Sequence, residues 1–200
     1  MRHDRSVSAT FVFGAMSPYS WFSAERVDQL LPDAEWRSVF LGAVFNARGR
    51  KSWGFDERRD AGMAECEARA KAYGLGEISW PERWPTNDLH VARAMLIAQR
   101  SGLLKPYALT AMRMAFREGA DLEEIAAVLE AGRRVGMDIG ELEARLSDPE
   151  VKGALRDATD DALAMGVFGV PTVLVGEQLF WGDDRLAEAA EAAGTASAGA

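Results

Sequence analysis

Residues 8–27, SATFVFGAMSPYSWFSAERV, decide the fold. The first six, SATFVF, alternate and are rich in β-branched and aromatic types, which predicts a strand. Ser17 followed by Pro18 is a helix-start signal: a hydroxyl at the N-cap, then a proline whose missing N–H costs nothing in the first turn. Trp21, Phe22, Val27 and Leu30 give that helix its apolar positions as far as about Leu31, and Pro32-Asp33 ends it. Residues 34–45, AEWRSVFLGAVF, read as a second strand. The opening is therefore β-α-β, the unit that builds parallel pairs.

Beyond this unit the period changes from two to 3.6. Residues 56–74, 87–102, 105–119, 121–136, 138–147 and 148–166 all read as helices, and several begin at Asp or Asn and end near Gly, as capping predicts. The stretch EISWPERWPTN, residues 77–87, holds two prolines and two tryptophans and reads as an ordered loop. Strand character returns at PTVLV and QLFW, separated by Gly176-Glu177 as a hairpin turn, and DDRLAEAAEAAG is a final capped helix. Setting the helical block aside leaves β-α-β, a long helix, then β-β-α, which is the thioredoxin order. The expected fold is α/β and thioredoxin-like, with a large all-helical insertion. The thioredoxin-like part spans 8–45 and 167–194, joined by the long helix 149–166, and the insertion spans 46–148. Such an insertion is tolerable because loop-closure entropy grows slowly with length.

Two hundred residues, 48% hydrophobic and 27% charged, suit one globular unit with a real core. The net charge of −8 argues against nucleic acid or an anionic membrane as a main partner. A single cysteine, Cys66, forms no internal disulfide and sits in a charged helical stretch, where it reads as a half-buried packing residue. His3 and His90 stand far apart, so no metal-ligand spacing and no Ser/His/Asp order emerges; no metal is expected. No run approaches membrane-spanning length and the first residues lack a signal-peptide core, so a cytoplasmic location is expected. The last eight residues, AGTASAGA, read as a frayed tail.

Three places can carry chemistry. Ser17 sits at a strand-to-helix junction, where backbone amides favour an anion, although an ordinary cap explains it equally well. Pro171, in GVPT, is an edge-strand proline or, in a thioredoxin order, the cis proline facing the start of the first helix; the preceding Val170 would then offer its backbone to an extended ligand. In WGDDR, Asp183 and Asp184 read as N-cap and first helical residue, or as a site whose amides hold a carboxylate while an aspartate holds an ammonium.

Taken together, AMSPYSWFSAERV, FLGAVFNARG, WPTNDLHVARAMLIA and VFGVPTVLVGEQLFWGDDRL resemble the 2-hydroxychromene-2-carboxylate isomerases and the class kappa glutathione transferases of the DsbA-like group. The resemblance runs over nearly the whole chain in the right order. It implies a glutathione-dependent isomerase acting on an aromatic-catabolism intermediate, with glutathione as cofactor and an aromatic carboxylate as substrate. Ser17 matches the serine that activates the glutathione sulfur. Val170, beside Pro171, matches the backbone partner of its cysteinyl part. Asp183 and Asp184 match the holders of the γ-glutamyl end, and Trp181 and Gly182 form the lead-in. The Tyr19 and Ser20 amides are the expected backbone donors, with Ser20 itself in a packing or capping role. A homodimer is implied by the resemblance alone.

Departures from the family pattern bear on the substrate. The asparagine that helps bind glutathione in kappa-class enzymes falls on Arg50, and Asn46, Arg48, Arg50 and Lys51 make a basic cluster suited to a carboxylate or to plain solvation. Asn87 and Asp88 match a position near the substrate pocket, and both also read as helix-cap residues. Trp53, Trp80 and Trp84 read as an aromatic pocket or as loop packing. The alternatives are a kappa-type transferase or peroxidase and a non-catalytic binding protein. A thiol–disulfide oxidoreductase is excluded, because neither Ser17 nor Ser20 can form a disulfide.

Overall fold

The computed structural model describes residues 8–198; His3 lies outside them. Four strands form one sheet: β1 (Ala9–Phe13), β2 (Glu35–Ser38), β3 (Thr172–Val175) and β4 (Gln178–Trp181), in the order β2-β1-β3-β4. β1 runs parallel to β2, with Phe11 opposite Trp36, and antiparallel to β3, with Phe11 opposite Val173. β3 and β4 pair antiparallel through the turn at Gly176, whose φ of 58° is readily adopted by glycine. This is the thioredoxin order, in a mixed sheet with many helices.

Alternation along β1 fills two layers at once. Phe11 and Phe13 point into the main core with Trp36, and Val12 points to the other face with Val39, Val44, Ala162 and Leu174. A central strand covered on both sides is hydrophobic at nearly every position, as here. The main core is continuous between the sheet and the helices: Trp21 of α1 (Pro18–Ala24) stacks on Phe116 of α6 (Leu104–Glu118), with ring centroids 5.6 Å apart.

The intervening helices are α4 (Arg59–Ala72), α5 (Leu89–Arg100), α6, α7 (Ile125–Arg134), α8 (Ile139–Arg145) and α9 (Pro149–Ala164). No helix among the described residues is long and apolar enough to cross a membrane.

Three elements differ from the sequence reading. The first helix is interrupted: the Arg26 amide bonds to the Ser23 carbonyl, three residues back, and the chain restarts as the single turn α2 (Val27–Leu30). The second strand stops at Ser38, and residues 41–47 form a helix, α3 (Leu41–Ala47). The apolar residues Leu41, Val44 and Phe45 recur at i, i+3 and i+4, a helical spacing hidden inside a short apolar run that also resembles a strand. At the far end α10 (Leu186–Ala198) extends through most of the expected tail, because its small residues include many alanines.

Candidate active site

Ser17 ends the β1–α1 loop with extended backbone, and its Oγ accepts the Ser20 amide at 3.2 Å. The cap reading is therefore correct. A cap, however, uses only a lone pair of the hydroxyl, and the O–H hydrogen has no acceptor among the described residues. The Ser20 amide is spent on this bond and is not free as an anion donor. The Tyr19 amide has no partner among the described residues. Ser20 is fully buried, and its own Oγ accepts the Gly14 amide at 3.3 Å, which ties the loop shut from behind.

A cavity of about 810 Å³ opens in front of Ser17. Val170 and Pro171 form its opposite edge; the peptide between them is cis, and the Val170 backbone N–H and C=O have no partner among the described residues. Beyond this edge the Pro171 carbonyl accepts the Gly182 amide at 3.0 Å, which brings Trp181, Gly182, Asp183 and Asp184 to the same cavity. Gly182 has φ 114°, a backbone conformation that L side chains rarely adopt and that favours glycine.

Asp183 is not the cap of the last helix. It is 1% exposed and begins a 3-10 turn (Asp183–Arg185) that precedes α10. Its two oxygens accept Arg69 Nη1 at 2.9 Å and the Tyr73 hydroxyl at 2.8 Å. Arg69 also bonds Glu65 one turn earlier on α4, and despite burial these two carboxylates hold its guanidinium further above its ordinary value. Asp184, by contrast, is exposed and has no ion-pair partner among the described residues. The sequence reading missed Glu65, Arg69 and Tyr73. Their four-residue spacing marks one stripe of α4, but nothing local links that stripe to a residue 114 positions away.

The rest of the wall includes several aromatic rings. Trp53 and Trp84 line the cavity, and they pack as well: their ring centroids lie 4.9 Å apart, and Trp84 Nε1 donates to the Met16 carbonyl at 3.1 Å, next to Ser17. Trp80 lies outside the cavity and packs at a tilt against Trp84, with ring centroids 4.6 Å apart. Arg50 lies on the wall, its guanidinium 5.7 Å from the Trp181 ring and with no carboxylate partner among the described residues. Asn87 also lines the cavity, with its Oδ1 accepting the Leu89 amide at 2.9 Å. Asn46 is exposed on α3 and is not part of the wall. Cys66 is fully buried rather than half-buried, and burial pushes its thiol up to about 12, so it is inert at neutral pH.

Asp88 completes the wall. It precedes α5 without capping it: the side chain makes no cap bond, and Asn87 takes that role. Its residue is 3% exposed, and Oδ2 is buried with no partner. Burial pushes the carboxyl up to about 7, against the opposing pull of its own amide and that of Leu41.

The model of the DsbA-like thioredoxin domain matches residues 9–194. A 2-hydroxychromene-2-carboxylate isomerase of Pseudomonas sp. (strain C18) is 33% identical over 193 residues, covering 90% of this chain and 87% of that protein. One from Sphingobium xenophagum is 25% identical over 185 residues, covering 88% and 92%. A solved 2-hydroxychromene-2-carboxylate isomerase superposes with a TM-score of 0.82 at 21% identity, over 94% of this chain and 95% of that one, a likeness of fold.

Proposed function

The chain belongs to the DsbA-like thioredoxin-domain family, and from that premise, with its curated relatives named as isomerases, we propose that it is a glutathione-dependent isomerase of the 2-hydroxychromene-2-carboxylate type. The observation that carries this reading is a pairing across one cavity. A serine whose O–H is unspent shares the cavity with a backbone edge, Val170, whose N–H and C=O are both unpartnered among the described residues. That edge suits the cysteinyl unit of a peptide-shaped thiol, added as a short strand.

Glutathione, when bound, supplies a thiolate that adds reversibly to a conjugated double bond, so that a bond can rotate before the thiolate leaves. The protein's task is to keep that sulfur ionised. A free thiol has a pKa near 8.5, so making the thiolate dominant at pH 7 takes about 2.7 kcal/mol. A charge-assisted hydrogen bond from Ser17 contributes roughly 1.5–3 kcal/mol. α1 is one helical piece of only seven residues, so its dipole adds at most a few tenths to about 1 kcal/mol. Ser17 is thus the principal contributor and the Tyr19 amide the secondary one.

Asp183 is saturated by Arg69 and Tyr73, so in this reading it positions the turn while Asp184 takes the γ-glutamyl ammonium. Trp181 and Gly182 shape the approach. Arg50 faces the carboxylate of an aromatic substrate lying along Trp53 and Trp84, with Asn87 beside it; the exposed Asn46 takes no part.

Titration calorimetry with glutathione tests the reading. It expects a saturable isotherm with the wild-type protein, and absence of binding at millimolar ligand sinks it. Mass spectrometry of the products separates the kappa-type alternative, which would leave a stable glutathione conjugate where the isomerase leaves none.

A further inference from the structure

We propose that Asp88, when ionised, receives the proton that the ligand thiol gives up on binding, so that the thiolate then forms without releasing a proton to solvent. This inference rests on the reading of the cavity as a glutathione site and goes beyond it, by naming the place of the proton. Ser17 can donate to a thiolate but cannot act as the base that makes one, and of the carboxylates on the wall Asp88 is the buried one without a cation partner, Asp183 being held by Arg69.

The geometry singles out Asp88. A Cβ placed on Gly14 would lie 3.5 Å from Asp88 Oδ2 and 3.5 Å from Val170 Cγ2. Gly14 accepts the Ser17 amide at its carbonyl, 3.3 Å away, and Val170 is the open edge. Oδ2 therefore lies beside Gly14, whose carbonyl accepts the Ser17 amide, and on the same side of it as the Val170 side chain. It is buried, has no partner, and belongs to a residue of the cavity wall. A purely structural carboxylate in such a place should carry a cation or a full set of amides, as Asp183 does.

No charged side chain contributes at Asp88. The β1–α1 loop presents Gly14, α3 presents Leu41 and its amide, and the segment before β3 presents Val170; none is titratable. On its own element the nearest titratable group is His90, whose Nδ1 is buried without a partner. Across the cavity, Arg69 pairs with Asp183 and Glu65, and Arg185 pairs with Glu188. The other charged groups on the wall are Arg50, Glu123 and Asp184.

The step balances. The thiol S–H bond breaks, the electron pair stays on sulfur where Ser17 donates to it, and the proton forms an O–H bond on the Asp88 carboxylate. The product pair carries one negative charge, as the starting pair did. A buried acid poised near 7 is well matched to this exchange, since proton transfer is most efficient when the acceptor titrates near the working pH. The thiol and Asp88 then titrate as a coupled pair.

The test counts protons. Calorimetric titration of the full-length protein with glutathione, in buffers of different ionisation enthalpy, reads the number released on binding. With Asp88 near 7 and the free thiol near 8.5, the wild type should release about 0.9 proton at pH 6 and about none at pH 8. The Asp88→Asn protein should release roughly 0.8 proton at pH 8, because its thiol has no internal acceptor. Release of about 0.8 proton by the wild type at pH 8 overturns the proposal even if Asp88→Asn fails to fold. Absence of glutathione binding to the wild type overturns the glutathione reading, and the inference with it. Binding with the wrong proton count overturns the inference alone.

Discussion

At one end of the cavity Asp183 is 1% exposed and accepts hydrogen bonds from Arg69 and Tyr73; elsewhere on the same wall Asp88 is 3% exposed and meets only amides and apolar groups. The two aspartates are equally buried and oppositely provided for. Asp183 spends both oxygens on α4 and fastens the turn after β4 to the helical block. Asp88 keeps an oxygen unspent beside Gly14. Burial alone therefore does not tell a structural acid from a reactive one; the count of partners does. Ser17 and Ser20 repeat the lesson, since Ser20 is fully buried behind the loop and Ser17, which caps α1, lines the cavity.

The contrast can be broken from either side. Ser17→Ala should lower turnover at least tenfold while moving Tm by only a few degrees, because the lost cap is worth about 1 kcal/mol. Kinetics and a thermal melt on the same preparation check this; a large fall in Tm with activity kept would leave Ser17 a cap and nothing more. Arg69→Met should do the reverse and strike stability first. Removing one partner of a fully buried pair costs 3–5 kcal/mol, but Arg69 is about a third exposed, so roughly 2 kcal/mol and a Tm loss of about 4–8 °C are expected. An unchanged melt would mean that Asp183 needs only Tyr73.

Asp88 gives the pH dependence its sign. Its carboxyl is raised to about 7 in the folded chain and titrates near 3.9 when unfolded, so between these values the folded state binds more protons. Its contribution therefore falls as pH rises from about 4 through 7. Asp88→Asn removes that loss, and its Tm relative to wild type should rise by roughly 5 °C from pH 5 to pH 8. A constant difference across that range would mean that Asp88 does not hold its proton. The smallest effect is expected at the rim: Arg50→Ala should raise KM for an aromatic carboxylate about fivefold with kcat nearly kept, consistent with loss of one exposed charge contact. A fall in kcat with KM unchanged would move Arg50 from substrate binding to the chemistry.

What could be read from the chain alone follows the range of the signals. Ser17-Pro18, the strand PTVLV and the helix periods are local, and they suffice for the thioredoxin order of elements, from which the placing of Val170-Pro171 opposite the start of the first helix is then expected. The strand-to-helix error at 41–47 arose where a short apolar run satisfies two periods, and side-chain packing on α9 decided it. The Arg69–Asp183 pair joins residues 114 apart, and the isolation of Asp88 is a property of its surroundings, so neither leaves a trace in residue spacing. WGDDR illustrates the limit well: two adjacent acids look alike in sequence, yet one is locked to α4 and the other faces solvent.

The central claim is that Ser17 holds a ligand sulfur as its anion. Ultraviolet difference absorbance of bound glutathione thiolate, in wild type and Ser17→Ala at pH 7 and saturating ligand, tests it most directly. The account predicts a thiolate band in the wild type and its loss, with binding retained, in Ser17→Ala. A band of equal strength in both proteins would contradict it.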